Sequence, residues 1–157
     1  MKTGLLLVSL FAIAVPALCA GKYTGPRPPK PDLPYLLHAD NLVPTEVTQA
    51  QQTSKKKSTS YAIPGESSPA KTPLMEPIFL FDSKDIPAQS LQLFRLDAKN
   101  GSRSVVMGRR DSSGPLHLSI KQLDGHLYRI EADEPLENGE YSLSPSDSNV
   151  AFCFQIY

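Results

Sequence analysis

Five acidic residues near the C-terminal end of the chain form its densest group of side chains that could do chemistry. They are Glu131, Asp133, Glu134, Glu137 and Glu140. Two carboxyl groups about 5–10 Å apart can hydrolyse a glycosidic bond, one as general acid and the other as base or nucleophile. These five flank a predicted turn with no apolar wall beside them. We therefore interpret them as a solvated charged rim and keep hydrolysis as an alternative.

Two histidines and an aspartate near one predicted hairpin are the remaining candidates for a site. They are His117, His126 and Asp124. A zinc site needs three or four ligands at a defined spacing, which these residues do not match. His117 alternates with apolar residues and is expected on the solvent face. No serine lies in a Gly-x-Ser-x-Gly motif. The sequence predicts no catalytic, cofactor-binding or metal site, and we expect the protein not to be an enzyme.

Cysteine usage gives no disulfide framework. The chain has two cysteines, Cys19 and Cys153. If the strand carrying Cys153 is covered on both faces, this residue is a small buried hydrophobe. If it is not, Cys153 is a free thiol that could cross-link to a partner. We favour burial.

Residues 1–20 have the layout of a secretory signal peptide. Lys2 supplies the positive start, residues 5–15 form an apolar run, and small residues up to Ala20 form the exit. The run is too short to span a bilayer. We therefore expect an extracytoplasmic protein, either periplasmic or secreted. Cleavage after Ala20 removes Cys19 and cleavage after Ala17 keeps it. Lipid attachment at Cys19 and an uncleaved anchor remain the alternatives.

Composition limits the partners of the chain. Sixteen basic and sixteen acidic residues balance, so no basic excess indicates nucleic-acid binding. No second apolar stretch of about 18 residues follows the signal, so we expect no membrane span after its removal. The sequence implies no cofactor. The expected partner is a protein or envelope component that the sequence does not identify, and the oligomeric state stays open.

Proline divides the chain after the signal into unlike parts. Ten of the fifteen prolines lie between residues 21 and 77. Proline fixes φ and lacks a backbone donor, so residues 21–34 predict an extended, disordered Pro-rich spacer. Residues 35–77 predict a loop-rich segment with possible edge strands, and residues 78–157 predict the sandwich core. The domain could start near residue 33 or near residue 77. The longer form is favoured because 80 residues alone would bury only roughly 60% of their unfolded surface.

From Ile78 onward, apolar and polar residues alternate as in half-buried strands. Asn100 and Gly101 form the strongest hairpin signal. A two-residue turn there pairs Lys99 with Ser102. The same register pairs Leu96 with Val105 and Phe94 with Met107, so these four apolar side chains share one face.

A second hairpin is predicted at Asp124 and Gly125. A three-residue loop over residues 123–125 would pair Ile120 with Tyr128 and Leu118 with Ile130. The last two strands are predicted at residues 140–144 and 149–157. One face of the final strand carries four large apolar side chains, which are Val150, Phe152, Phe154 and Ile156.

The sequence from Leu136 to Tyr141, Leu-Glu-Asn-Gly-Glu-Tyr, leads into the first of these two strands. It resembles a corner of immunoglobulin-like and fibronectin type III-like β-sandwiches, where a tyrosine near the start of a late strand bonds back to the backbone. The resemblance implies that the Tyr141 hydroxyl makes this bond and that Gly139 permits the turn. The chain is also similar to small exported bacterial proteins that end in a Gly-Glu-Tyr strand and an aromatic-rich last strand.

The sequence therefore predicts an all-β fold, a single antiparallel, immunoglobulin-like sandwich of about seven strands behind a signal peptide and a Pro-rich segment. We expect an exported, non-enzymatic binding or structural module of the cell envelope or extracellular space. One alternative is a small exported hydrolase that uses the acidic cluster. The other is a partner-dependent assembly protein that pairs an edge strand with a neighbour.

Overall fold

The computed structural model describes residues 22–108 and 114–157, which form thirteen β-strands and a single 3-10 turn at Ala88–Ser90. These described residues contain no α-helix. The strands form two sheets in which all but one pairing is antiparallel, so the all-β prediction is confirmed. Residues 1–20, where the sequence predicts a signal peptide, lie outside the described part of the chain.

Five strands form the first sheet: β1 (Tyr35–His38), β2 (Asn41–Pro44), β7 (Ile78–Asp82), β10 (Leu118–Asp124) and β11 (Leu127–Ala132). Their order across the sheet is β10-β11-β7-β1-β2, with antiparallel neighbours throughout. The outer strands β10 and β2 leave one edge each without a strand partner among the described residues.

Eight strands form the second sheet: β3 (Glu46–Gln49), β4 (Gln51–Lys55), β5 (Ser58–Pro64), β6 (Lys71–Thr72), β8 (Leu91–Lys99), β9 (Ser102–Met107), β12 (Gly139–Pro145) and β13 (Val150–Ile156). Seven of them follow the order β3-β13-β12-β8-β9-β5-β4. The two-residue β6 adds to the end of β13 in parallel.

The second sheet curls on itself because β3 and β4, at the two ends of its order, are consecutive in the chain. Only Ala50 separates them, and its N–H donates to the carbonyl oxygen of Asn149 at 2.8 Å. The curl turns one face of this sheet inward. The opposite face packs against the first sheet.

The main hydrophobic core lies between the two sheets. The first sheet contributes Phe79 and Ile130, and the second contributes Phe152, Phe154 and Ile156. The Phe154 ring meets Phe79 edge to face, with ring centroids 4.9 Å apart. The predicted apolar face of the final strand is therefore confirmed, and the aromatic contacts add to the stabilisation from buried area.

A second, smaller core lies inside the curl. It joins Ile63, Leu96, Ala151 and Cys153. Cys153 is fully buried there, because its strand has the main core on one face and the curl on the other. The burial predicted for this thiol is confirmed.

The hairpin predicted at Asn100 and Gly101 is confirmed. Both residues have positive φ, 52° and 77°, as a type I′ turn requires. Lys99 pairs with Ser102, but the ladder between β8 and β9 ends at Asp97. Beyond that point the two hairpin strands diverge, so the predicted pairs of Leu96 with Val105 and of Phe94 with Met107 do not form. There β8 pairs with β12 on its other side and, at Leu93, makes an isolated bridge to Leu116.

The register predicted for the second hairpin is wrong by two residues. Ile120 pairs with Ile130 and not with Tyr128, while Leu118 pairs with Ala132. The chain reverses over two residues, between Asp124 and Leu127, and an irregularity between residues 122 and 124 takes up the extra residue. The sequence placed the extra residue in the turn, whereas the structure places it in the strand as a bulge.

The structure has thirteen strands where the sequence predicts about seven, and most of the excess lies in residues 35–77, which hold β1 to β6. β4 shows why these strands are hard to predict: all five of its residues are exposed, so they carry no apolar alternation. It is held by backbone pairing with β5. Alternation of apolar and polar residues indicates that one face of a strand is buried, so it cannot detect a strand that is held only by backbone hydrogen bonds.

The Pro-rich segment contacts the first sheet from residue 27 onward. Arg27 forms an ion pair with Asp124 at the end of β10. The Asp32 carboxylate accepts backbone hydrogen bonds of 2.9–3.0 Å from Lys84, Asp85 and Ile86. The Arg27 contact thus holds the segment against β10, and the Asp32 contacts hold it against the loop that follows β7.

A tyrosine corner is formed as the resemblance implies. The Tyr141 hydroxyl donates to the carbonyl oxygen of Glu137 at 2.7 Å, four residues upstream. The ring itself is buried and stacks on Phe154 at 5.5 Å. This bond ties the loop before β12 to the main core.

Candidate binding pocket

A pocket of about 330 Å³ opens at one end of the curl. Most of its wall is apolar and comes from inward-facing residues of β5, β8, β9 and β13: Ile63, Phe94, Leu96, Val105, Met107 and Ala151. The four hairpin side chains predicted to share a face do so, and that face is the pocket wall.

The divergence of β8 from β9 forms the opening. Their ladder joins only residues 97–99 to residues 102–104. Further from the turn, this edge of β8 faces another segment, and the Leu116 N–H donates to the Leu93 carbonyl oxygen at 2.8 Å. Phe94 and Met107 therefore face a gap, and the pocket is part of the sheet geometry.

One wall and the rim of the pocket are polar. Ser142 and Ser144 on β12 point inward, and their hydroxyl oxygens lie 2.7 Å apart. The rim is formed by Pro145 at the end of β12 and by the loop between β12 and β13, residues 146–149. In it, Asp147 has a φ of 61°, and the Ser148 hydroxyl accepts a hydrogen bond from the Val150 N–H at 3.1 Å. The Ser146 N–H also donates to the Ser90 carbonyl oxygen at 2.8 Å, so hydrogen bonds hold the loop at its start and at its exit.

A buried ion cluster, formed by Arg103, Glu46 and Glu140, lies in the interior of the curl beside the second core. Arg103 donates to the two carboxylate oxygens of Glu46 at 2.7 and 3.1 Å. It also donates to the carbonyl oxygens of Gly65 and Pro64, each at 3.0 Å. Every guanidinium nitrogen is therefore engaged by Glu46 or by the backbone.

Glu140 completes this cluster from β12. One of its oxygens lies 3.6 Å from Arg103 and accepts the Ser68 N–H at 3.0 Å. The other oxygen is buried and has no hydrogen-bond partner among the described residues. Burial alone would lower the pKa of Arg103, but the hydrogen bonds and charge of Glu46 outweigh this effect and raise that pKa above its usual value. The guanidinium stays charged.

The thiol of Cys153 borders the same interior. Burial raises its pKa to about 12, and the nearby charge of Arg103 only partly opposes this. A thiol acts as a nucleophile in its thiolate form, which this environment suppresses at neutral pH.

The structure separates the five acidic residues of the predicted cluster. Glu140 lies inside the curl, and Glu137 pairs with Arg95 at 2.5 Å on the outside. Glu131, Asp133 and Glu134 line one shallow depression of about 390 Å³. Most of this group therefore faces solvent.

Two carboxylates in this depression already have partners. Glu131 accepts two hydrogen bonds from Arg129, at 2.7 and 2.8 Å, which lower its pKa despite partial burial. Asp133 accepts the Ser119 hydroxyl at 2.7 Å. A glycosidase general acid needs a raised pKa, the opposite of what Arg129 imposes on Glu131.

The hairpin histidines do not converge on a site. His117 and His126 are both exposed, as predicted for His117, and Asp124 is engaged by Arg27. Within residues 22–108 and 114–157, no group of three or more histidine, cysteine or acidic side chains could hold a metal ion.

Known proteins give no further guide. No protein family, curated protein or solved structure matches this chain. Among the residues that the structure describes, no helix has the length and apolar character needed to cross a membrane. The pocket and its surroundings are therefore interpreted from their own chemistry.

Sequence reasoning missed both the pocket and the buried cluster, although one signal for the cluster was present. Side chains alternate between the two faces of a strand, so Arg103 lies on the same face of β9 as the apolar Val105 and Met107. A buried arginine needs carboxylate or carbonyl partners. Those partners come from β3, β12 and the end of β5, which are distant in sequence.

Proposed function

We propose that this protein is an exported, non-enzymatic binding module whose site is the pocket in the curled sheet. The observation that carries the proposal is an apolar pocket of about 330 Å³ with a few convergent hydroxyl groups. Ligand sites typically combine a concave apolar wall with a small number of placed polar groups. An engineered apolar cavity of about 150 Å³ is enough to bind benzene. The ligand class is a small molecule with an apolar body.

Export is supported by the signal-like residues 1–20. Intact mass of the protein recovered from its native host tests this part of the proposal. A chain beginning at Gly21 or Leu18 supports export with cleavage. A mass raised by acyl groups on Cys19 would support export with a lipid anchor, and an unprocessed chain in the cytosol would contradict export.

The proposed fold relationship is to disulfide-free immunoglobulin-like or fibronectin type III-like sandwiches. Its support is the hydroxyl bond of Tyr141 to the Glu137 carbonyl, which such corners use. Modules of this kind present binding surfaces on a rigid β-scaffold, which is in keeping with a binding role. Fold alone does not give function, so the pocket carries the proposal.

The non-enzymatic part of the proposal is supported by the surroundings of the acidic side chains and of the thiol. The acidic depression has a carboxylate held by Arg129 and another held by Ser119. The thiol of Cys153 is buried and protonated. The hydrolase alternative would require catalysis that is lost when Glu131 or Glu134 is changed to glutamine.

Binding of the neutral fluorescent probe N-phenyl-1-naphthylamine tests the pocket directly. The proposal predicts saturable fluorescence enhancement with one site per chain. Val105→Phe, which places a ring in the pocket, should abolish the signal. Val106→Phe is the matched control, because Val106 follows Val105 on β9 with the opposite parity and does not line the pocket. Equal binding by both variants, or no saturable binding at all, would contradict the proposal.

Strand pairing with a partner is the second candidate function, and the outer strand β10 favours it. This seven-residue strand has β11 on one side only among the described residues. Free strand edges can accept a partner's strand. Replacing Gln122, an exposed residue of β10 whose N–H faces away from β11, by proline should then abolish association in light-scattering measurements. A chain that is monomeric at all concentrations and captures no strand peptide would remove this candidate.

A further inference from the structure

We propose that the pocket selects a neutral amphiphile, an apolar body that ends in a hydroxyl or primary amide, over a carboxylate of the same length. This inference rests on the proposed binding function and adds the head-group class. Three features of the pocket carry it: the apolar wall, the hydroxyl pair on β12 and the sign of the charges around it.

The apolar wall fits a body larger than one ring. A ligand would contact Phe94 and Leu96 on β8 and Val105 on β9, with Ile63 and Ala151 beside them. The volume of about 330 Å³ is roughly twice that of a cavity that holds benzene. An alkyl chain of about eight carbons or a two-ring aromatic body would bury its surface against these side chains.

The hydroxyl pair of Ser142 and Ser144 suits a head group that both donates and accepts. The two oxygens are 2.7 Å apart, so one hydroxyl donates to the other. If Ser142 donates to the Leu143 carbonyl oxygen at 3.4 Å, Ser144 donates to Ser142 and its free lone pairs accept from a ligand. If Ser142 donates to Ser144, the Ser144 proton is free to donate. An alcohol or an amide satisfies either arrangement, whereas a carboxylate can only accept.

The charges around the pocket disfavour a carboxylate. Among residues 22–108 and 114–157, no lysine, arginine or histidine lines the pocket, and Asp147 lies on its rim. Arg103 is a buried cation inside the curl, and its donors are engaged by Glu46, Gly65 and Pro64. An anionic head group would therefore lose its hydration without gaining a counter-charge.

Displacement of N-phenyl-1-naphthylamine by matched eight-carbon competitors tests the head-group class. We expect 1-octanol and octanamide to displace the probe at least tenfold more effectively than octanoate at pH 7. Ser144→Ala should weaken 1-octanol about fivefold, since one hydrogen bond is lost, and should leave naphthalene within twofold.

A charge variant gives an independent test. Asp147→Asn keeps a residue that tolerates positive φ and removes the rim charge. It should strengthen octanoate binding about two- to fivefold, the size expected for one charge at close range in water. Asp40→Asn, at an exposed turn of the first sheet, is the matched control and should change nothing.

The outcomes separate this inference from the proposed function. The head-group inference would be overturned, and the binding site would stand, if the probe binds but octanoate displaces it as well as or better than 1-octanol. The same conclusion would follow if the probe binds and none of the competitors displaces it. Equal loss of naphthalene and 1-octanol in Ser144→Ala would overturn it as well. Absence of any probe binding would instead overturn the proposed function.

Discussion

Arg103 on β9 donates two hydrogen bonds to Glu46 on β3, and its side chain is only 1% exposed. The two residues lie 57 positions apart in sequence. β3 and β9 are not neighbours in the second sheet, so this ion pair crosses the inside of the curl. It therefore links strands that the backbone ladder leaves apart.

Arg103→Met tests the contribution of this ion pair to stability. The methionine roughly preserves the apolar stem, but the carboxylates of Glu46 and Glu140 lose their cation. Breaking one partner out of a buried pair costs about 3–5 kcal/mol, and we expect the free energy of unfolding in urea to fall by that amount. The matched control is Arg95→Met, which breaks an exposed pair with Glu137 and should cost no more than about 1 kcal/mol. If both variants lose the same free energy of unfolding, the buried ion cluster does not contribute specifically to the stability of the curled sheet.

Tyr141→Phe isolates the tyrosine corner. The ring keeps its packing on Phe154, while the 2.7 Å bond to the Glu137 carbonyl is lost. The free energy of unfolding should fall by about 1 kcal/mol, the usual net contribution of such a bond. Tyr157→Phe, at an exposed position, is the control and should be neutral. A neutral Tyr141→Phe would show that the corner does not contribute to stability.

Asp32 should make the fold sensitive to acid. Burial alone would raise the pKa of Asp32, but the N–H groups of Ile86, Lys84 and Asp85 outweigh it and lower the pKa from 3.8. A lowered folded-state pKa gives stability that is present above the unfolded value and is lost as pH falls through the folded value. We expect wild-type stability to decline from about pH 5 downward.

Asp32→Asn checks the source of this decline. Urea unfolding at a series of pH values should show a variant that is less stable near neutral pH and declines less in acid. Glu131 also has a lowered pKa, so part of the acid slope remains in the variant. Asp40→Asn should keep the full wild-type slope. An unchanged slope in Asp32→Asn would contradict the role given to these backbone hydrogen bonds.

Cys153 should react only when the curl opens. Its thiol is buried and its pKa is about 12, so the native protein holds little accessible thiolate. In a Cys19→Ser background, labelling by a disulfide reagent should be slow in buffer and complete in denaturing urea. Rapid, stoichiometric labelling of the native protein would show that the interior is open to solvent.

Residues 78–157 were largely predictable because their strands bury one face. Alternation at Phe152, Phe154 and Ile156 indicated the core face. Asn100 and Gly101 indicated a hairpin whose register the structure confirms for the three pairs next to the turn, although the pairs predicted beyond them do not form. The register predicted for the second hairpin was wrong because an extra residue leaves the same side chains on the apolar face whether it lies in the turn or in the strand. Parity alone could not choose between them.

The pocket depends on long-range geometry that no local pattern reports. Ala50 makes β3 and β4 nearly continuous, and this closes the curl around inward-facing side chains. The fully exposed β4 has no apolar period to signal that it is a strand. The sequence placed Phe94, Leu96, Val105 and Met107 on one face correctly, but it could not show that this face encloses a space.

Amide chemical-shift mapping with 1-octanol on the isotopically labelled protein tests the central claim most directly. We expect saturable shifts confined to the pocket, at positions such as Ala50, Leu96, Val105 and Ala151, and their loss in Val105→Phe but not in Val106→Phe. Shifts that are absent, non-saturable, or centred on the acidic depression around Glu131 and Asp133 would contradict the assignment of this pocket as the binding site.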